Sequence, residues 1–132
     1  MIRRFKWLYL CLVLSFACGS DTDVDEGAEL DLVEVKNIFL NGCSFAACHG
    51  PELGAGGLVL KPEPLPALID AVSTAVPGRR LVVPGSLMDS YLHEKLTQEA
   101  PTAGDPMPPS VPLDDARLNL VRRWIEAGAP AE

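Results

Sequence analysis

Only four cysteines occur in the 132 residues, and two of them stand close together with a histidine directly behind: Cys43-Ser44-Phe45-Ala46-Ala47-Cys48-His49. The other two, Cys11 and Cys18, belong to the N-terminal stretch, so this pair is all the thiol chemistry the body of the chain has. A chain of this length builds one small domain. Whatever joins or uses Cys43 and Cys48 therefore fixes the middle of a small fold, and His49 adds a third donor at the same point.

The N-terminus sets the compartment. Arg3, Arg4 and Lys6 precede an uncharged run of eleven residues from Trp7 to Ala17. A membrane-spanning helix needs about 20 residues, whereas a signal-peptide core is shorter. The run ends in Ser15-Phe16-Ala17-Cys18, a small residue before a cysteine, which resembles a lipoprotein box. Residues 1–17 are thus expected to be a signal peptide of lipoprotein type. Cys18 would be the lipidated first residue of the exported chain. A plain signal peptide and an uncleaved anchor are the alternatives. Residues 18–30, with Asp21, Asp23, Asp25, Glu26 and Glu29, read as an acidic, solvated tether. The domain proper is residues 31–132. The first 17 residues hold three of the 11 basic residues and none of the 18 acidic ones. The remainder carries eight against 18, a net charge of about −10. Such a surface repels nucleic acid and anionic headgroups.

The domain reads as all-α with long irregular connections. Leu32, Val35, Ile38 and Phe39 recur at helical spacing over residues 31–40, behind Asp31 as N-cap, and Asn41-Gly42 ends that helix. Residues 50–61 form a glycine-rich loop running into a short extended piece. A second helix is expected from about Leu65 to Ala75, its start limited by Pro62, Pro64 and Pro66. A third should open at Ser86 through a capping-box-like Ser86–Asp89 pair and run to about Thr97, with Leu87, Tyr91, Leu92 and Leu96 inside. Residues 97–112 carry five prolines and form a stiff loop. The last helix starts at Asp114 or Asp115, has Arg122 and Arg123 near its end and Gly128 just past it. Its apolar members are Leu113, Leu118, Val121, Trp124 and Ile125. Three or four short helices with so much irregular chain call for a large internal hydrophobic body.

A haem is such a body. Two thiols can add to the two vinyl groups on one edge of the macrocycle, and a histidine just after the second thiol can reach the iron. Cys43, Cys48 and His49 offer that set, with four residues in the spacer. Small residues at 44, 46 and 47 let the spacer bulge. The residues alone leave two other readings open: a Cys43–Cys48 disulfide closing a short loop in an oxidising compartment, and a zinc site of Cys43, Cys48, His49 and His93.

Pieces along the whole domain bear on the choice. In order they are "IFLNGC", "CHG", "GGLVL", "VVPGS", "SYLHEKL", "MPP" and "VRRWIEAGAP". In this order the chain resembles the cytochrome c family, and within it the small mono-haem c-type domains of bacterial exported lipoproteins. The spacer is the departure, four residues where the family usually has two. The resemblance implies a small cytochrome c-like fold around a covalent haem c. It implies Cys43 and Cys48 as thioether links, His49 as one axial ligand of the iron and Met107, in Met-Pro, as the other. Prolines 106, 108 and 109 would hold that thioether out at low entropic cost. Met88 reads as helix packing, and His93 as a partly exposed helix histidine and rival ligand. Arg79 and Arg80 are candidates to meet a haem propionate, because guanidinium suits carboxylate.

The implied function is electron carriage rather than enzymatic chemistry, by a lipoprotein held at a periplasm-facing membrane, inner or outer, with a redox protein as partner and no role for nucleic acid. A haem-free interaction module with a Cys43–Cys48 disulfide is the first alternative. A haem peroxidase or sensor, if Met107 leaves the sixth position open, is the second.

Overall fold

The computed structural model describes residues 30–132. The expected signal peptide, Cys18 and the acidic run as far as Glu29 lie outside the described residues. The described part is all-α, with four α-helices and no strand among these residues. None of its helices is long and apolar enough to cross a membrane.

Helix α1, Leu32–Gly42, starts as expected: the Asp31 side chain accepts from the Glu34 N–H at 3.0 Å. It buries Val35, Ile38 and Phe39. Helix α4, Asp115–Glu126, is capped in the same way by Asp114, which accepts from the Arg117 N–H at 2.9 Å. Its end is a Schellman turn. Gly128, at φ 91°, takes the left-handed position, its N–H donating to Ile125 O at 3.0 Å while the Ala129 N–H donates to Trp124 O at 2.9 Å.

These two helices pack on each other through Phe39 and Trp124, whose rings meet edge-on at 5.8 Å and 62°. Val121, Trp124 and Ile125 are buried, as their spacing predicts. Leu118 is not; Leu120 packs against the core in its place. The indole N–H of Trp124 donates to Pro130 O at 2.9 Å, which pins the C-terminus. Leu60, Leu65, Leu68, Val82 and Ala129 complete the core.

The middle of the chain differs from expectation. Helix α2 is only Pro64–Leu68, instead of reaching Ala75. Asp70 adopts φ 54°, and the chain leaves the helix to pair with the next segment. Isolated bridges join Ile69 to Val82 and Val72 to Arg80. Burying Leu65 and Leu68 uses the helical spacing that the sequence offered; beyond them, backbone pairing with residues 80–82 wins. Helix α3 is Tyr91–Thr97, starting five residues later than the Ser86 signal suggested. Ser86 and Asp89 do bond to each other, at 2.7 Å, but they close a turn. Buried Ser90 takes the backbone out of helical geometry: its hydroxyl donates to Ser86 O at 2.6 Å and accepts from the Val83 N–H at 2.9 Å.

Candidate functional site

The end of α1 delivers the cysteine pair. Phe39 O accepts from the Cys43 N–H, the Ser44 N–H and the Ser44 hydroxyl, at 3.0, 3.1 and 3.0 Å. That convergence turns the chain sharply and buries Ser44. The spacer then closes on itself. Phe45 O accepts from the N–H groups of Cys48 and Gly50, both at 2.9 Å, and Cys43 O accepts from the His49 N–H at 3.1 Å. Cys43 and Cys48 stand as free thiols. Burial, and secondarily the neighbouring Cys48, pushes the Cys43 thiol up to about 11, so it holds its proton at neutral pH.

His49 is clamped from the other side by residues 58–60. The Leu60 N–H donates to His49 O at 2.9 Å, and the imidazole Nδ1 lies 3.3 Å from Leu58 O. A carbonyl can only accept, so Nδ1 carries a proton in this contact, and Nε2 is the ring nitrogen the contact does not use. A backbone carbonyl bonded to one ring nitrogen fixes the orientation of the imidazole.

Two adjoining recesses share His49, Leu58, Leu92 and Met107 in their walls. The inner one, about 70 Å³, is almost wholly apolar. Cys43, Cys48, Leu68, Leu96, Pro108 and Leu113 are among its other walls. The outer one, about 460 Å³, has Ser73, Thr74, Tyr91 and Lys95 among its walls. Together they offer room of the size that small-molecule and cofactor sites occupy, roughly 300–1,000 Å³.

The sequence-derived site residues separate into two groups. Cys43, Cys48, His49 and Met107 all line the recess. Arg79 and Arg80 do not. Arg79 pairs with Glu94 at 3.0 Å, and Arg80 donates to Asp70 O at 2.6 Å with the Asp70 carboxylate 3.5 Å away. The cation among the walls is Lys95. His93 also faces elsewhere: its Nε2 accepts from Arg122 Nε at 3.3 Å. Burial first, and the Arg122 charge second, hold its pKa below the ordinary histidine value. Met88 is 86% exposed. Among the described residues no three His, Cys, Asp or Glu side chains gather as a metal-ion site.

Leu58 and Leu60 were not singled out by the sequence reading, although the signal was there. In Leu58-Val59-Leu60 the two leucines turn inward and Val59 faces out, the period-two pattern of an extended segment. Comparison with family models, with curated proteins and with solved structures found no match for this chain.

Proposed function

We propose that this chain is an electron-carrying c-type cytochrome, exported and tethered to a periplasm-facing membrane through a lipidated Cys18, with a cytochrome c-like fold. One observation carries the reading: a single apolar recess is lined by two free thiols, an imidazole with its Nδ1 proton committed to Leu58 O, and a methionine. This donor set fits a haem. Cys43 and Cys48 would hold the macrocycle covalently at one edge. His49 Nε2 and the Met107 thioether would hold the iron, imidazole and soft sulfur being apt partners for it. Bound there, the haem supplies a one-electron redox couple.

The chain's own part is electrostatic and steric. Leu58 O keeps His49 in one tautomer and one orientation. Leu58, Leu60, Leu68, Leu92 and Leu96 exclude water, and a drier site resists the extra charge of the oxidised form. Methionine ligation acts in the same direction and raises the potential. The half-buried Cys43 and Cys48 leave one edge of the recess near solvent, where a redox protein could dock through a small transient interface. The net charge of about −10 on residues 18–132 favours a basic partner.

The test is the sixth ligand. The oxidised protein should show the weak near-infrared charge-transfer band of sulfur bound to iron. Met107→Ala should abolish it, lower the potential and admit carbon monoxide, while His93→Ala should leave the band in place. A wild type that carries haem, lacks the band and already binds carbon monoxide would replace the carrier with a peroxidase or sensor.

A further inference from the structure

The segment that carries Met107, residues 98–110, has no secondary structure of its own, and its position is set almost entirely by α3. Along that helix Tyr91, Glu94 and Lys95 share one face, at spacings of three and four. The Tyr91 hydroxyl donates to Ala103 O at 2.6 Å. The Lys95 ammonium donates to Ala103 O at 2.9 Å and to Asp105 O. The Met107 N–H donates to Lys95 O at 2.7 Å. Glu94 joins three segments: Oε1 accepts from the Thr102 N–H, and Oε2 accepts from Arg79 Nη1 at 3.0 Å. Leu92 and Leu96 of the same helix line the recess.

Glu94 is only 9% exposed. A carboxylate in such a place is costly unless both oxygens find donors. Here each oxygen has one, and each donor comes from a different part of the chain. The hydrogen bonds from Thr102, with Arg79 as a lesser cause, keep its pKa below the ordinary glutamate value.

We propose that Glu94 is a positioning residue for Met107, fixing the loop from Thr102 onward so that the thioether enters the recess in one register. The inference rests on the reading of the recess as a haem site with Met107 as iron ligand. Glu94→Gln keeps the size of the side chain but replaces one acceptor with an amide N–H₂. That amide must then face either the Thr102 N–H or the Arg79 guanidinium, donor against donor.

The experiment compares wild type and Glu94→Gln as haem-loaded full chains, by near-infrared spectroscopy, carbon monoxide binding and site-resolved amide hydrogen exchange. Glu94→Gln should lose at least half of the sulfur–iron band and gain a carbon monoxide-binding fraction. Exchange at residues 102–107 should speed up at least tenfold, with α1 and α4 unchanged. Arg79→Gln, which removes the part-exposed donor together with its guanidinium contact over the Tyr91 ring, should give a smaller change of the same kind and serves if Glu94→Gln does not accumulate folded. A wild type without the band overturns the haem-ligation reading itself. A wild type with the band and variants that keep it in full, whether or not the loop exchanges faster, overturns the positioning role alone.

Discussion

Gly50 offers a direct test of how tightly the cysteine spacer is built. A Cβ placed on Gly50 would lie 2.7 Å from Phe45 O, 2.9 Å from the Phe45 carbonyl carbon and 3.1 Å from Ala46 Cα. All three are backbone atoms, so no rotamer change relieves the contact, and the spacer itself must move. Phe45 O is also the acceptor for the Cys48 and Gly50 N–H groups, both at 2.9 Å. Displacing it weakens two hydrogen bonds of about 1 kcal/mol each, on top of about 1–3 kcal/mol for overpacking. With partial relaxation, Gly50→Ala should cost about 3 kcal/mol. For a domain near 100 residues that corresponds to a fall in melting temperature of about 12–24 °C, at roughly 4–8 °C per kcal/mol. The assay is thermal unfolding of the purified protein by far-ultraviolet circular dichroism. Gly42→Ala is the control. It sits at the end of α1 with nothing within 4 Å of its Cβ position, and should be neutral or stabilising by up to about 1 kcal/mol. If Gly50→Ala melts within about 3 °C of wild type, the spacer is not held as described.

Two further predictions concern the core and the anchor. Trp124→Phe removes the donor to Pro130 O and part of the edge contact with Phe39, and should cost about 2 kcal/mol by denaturant titration, one half from the hydrogen bond and one half from the void; a loss under about 0.5 kcal/mol would show that the C-terminus is not pinned there. Cys18→Ala should move the mature protein from the detergent phase to the aqueous phase or leave it unprocessed, because the several acyl chains of a lipoprotein hold where a single chain would not; a wild type that carries no acyl mass would end that reading.

What was legible in the sequence was whatever is decided locally. Asp31 caps α1 as its sequence predicts, and of the two aspartates at the start of α4 it is Asp114 that caps, because an N-cap acts within three residues. Val35, Ile38, Phe39, Val121, Trp124 and Ile125 are core, because periodicity encodes their face. Cys43, Cys48, His49 and Met107, which the sequence offers as one donor set, line one recess. What was not legible depends on distant partners. Nothing in "PEPLPALIDAVSTAV" announces that residues 69–72 pair with residues 80–82 and cut α2 short. Ser86 and Asp89 carry a helix-start signal, but the buried hydroxyl of Ser90 bonds to Ser86 and Val83 and delays the helix to Tyr91. Arg79 reads in the sequence as a contact for a bound carboxylate, while the carboxylate it meets is Glu94, 15 residues on.

Whether Cys43 and Cys48 hold a haem in this recess, as proposed, is tested most directly by the intact mass of the purified protein. The mass should exceed that of the processed polypeptide, with any acyl groups counted, by one haem, and the excess should survive acid-acetone extraction. It should disappear in Cys48→Ser. A wild-type mass equal to the processed polypeptide less two hydrogens, with no haem, would contradict the account and make the pair a disulfide.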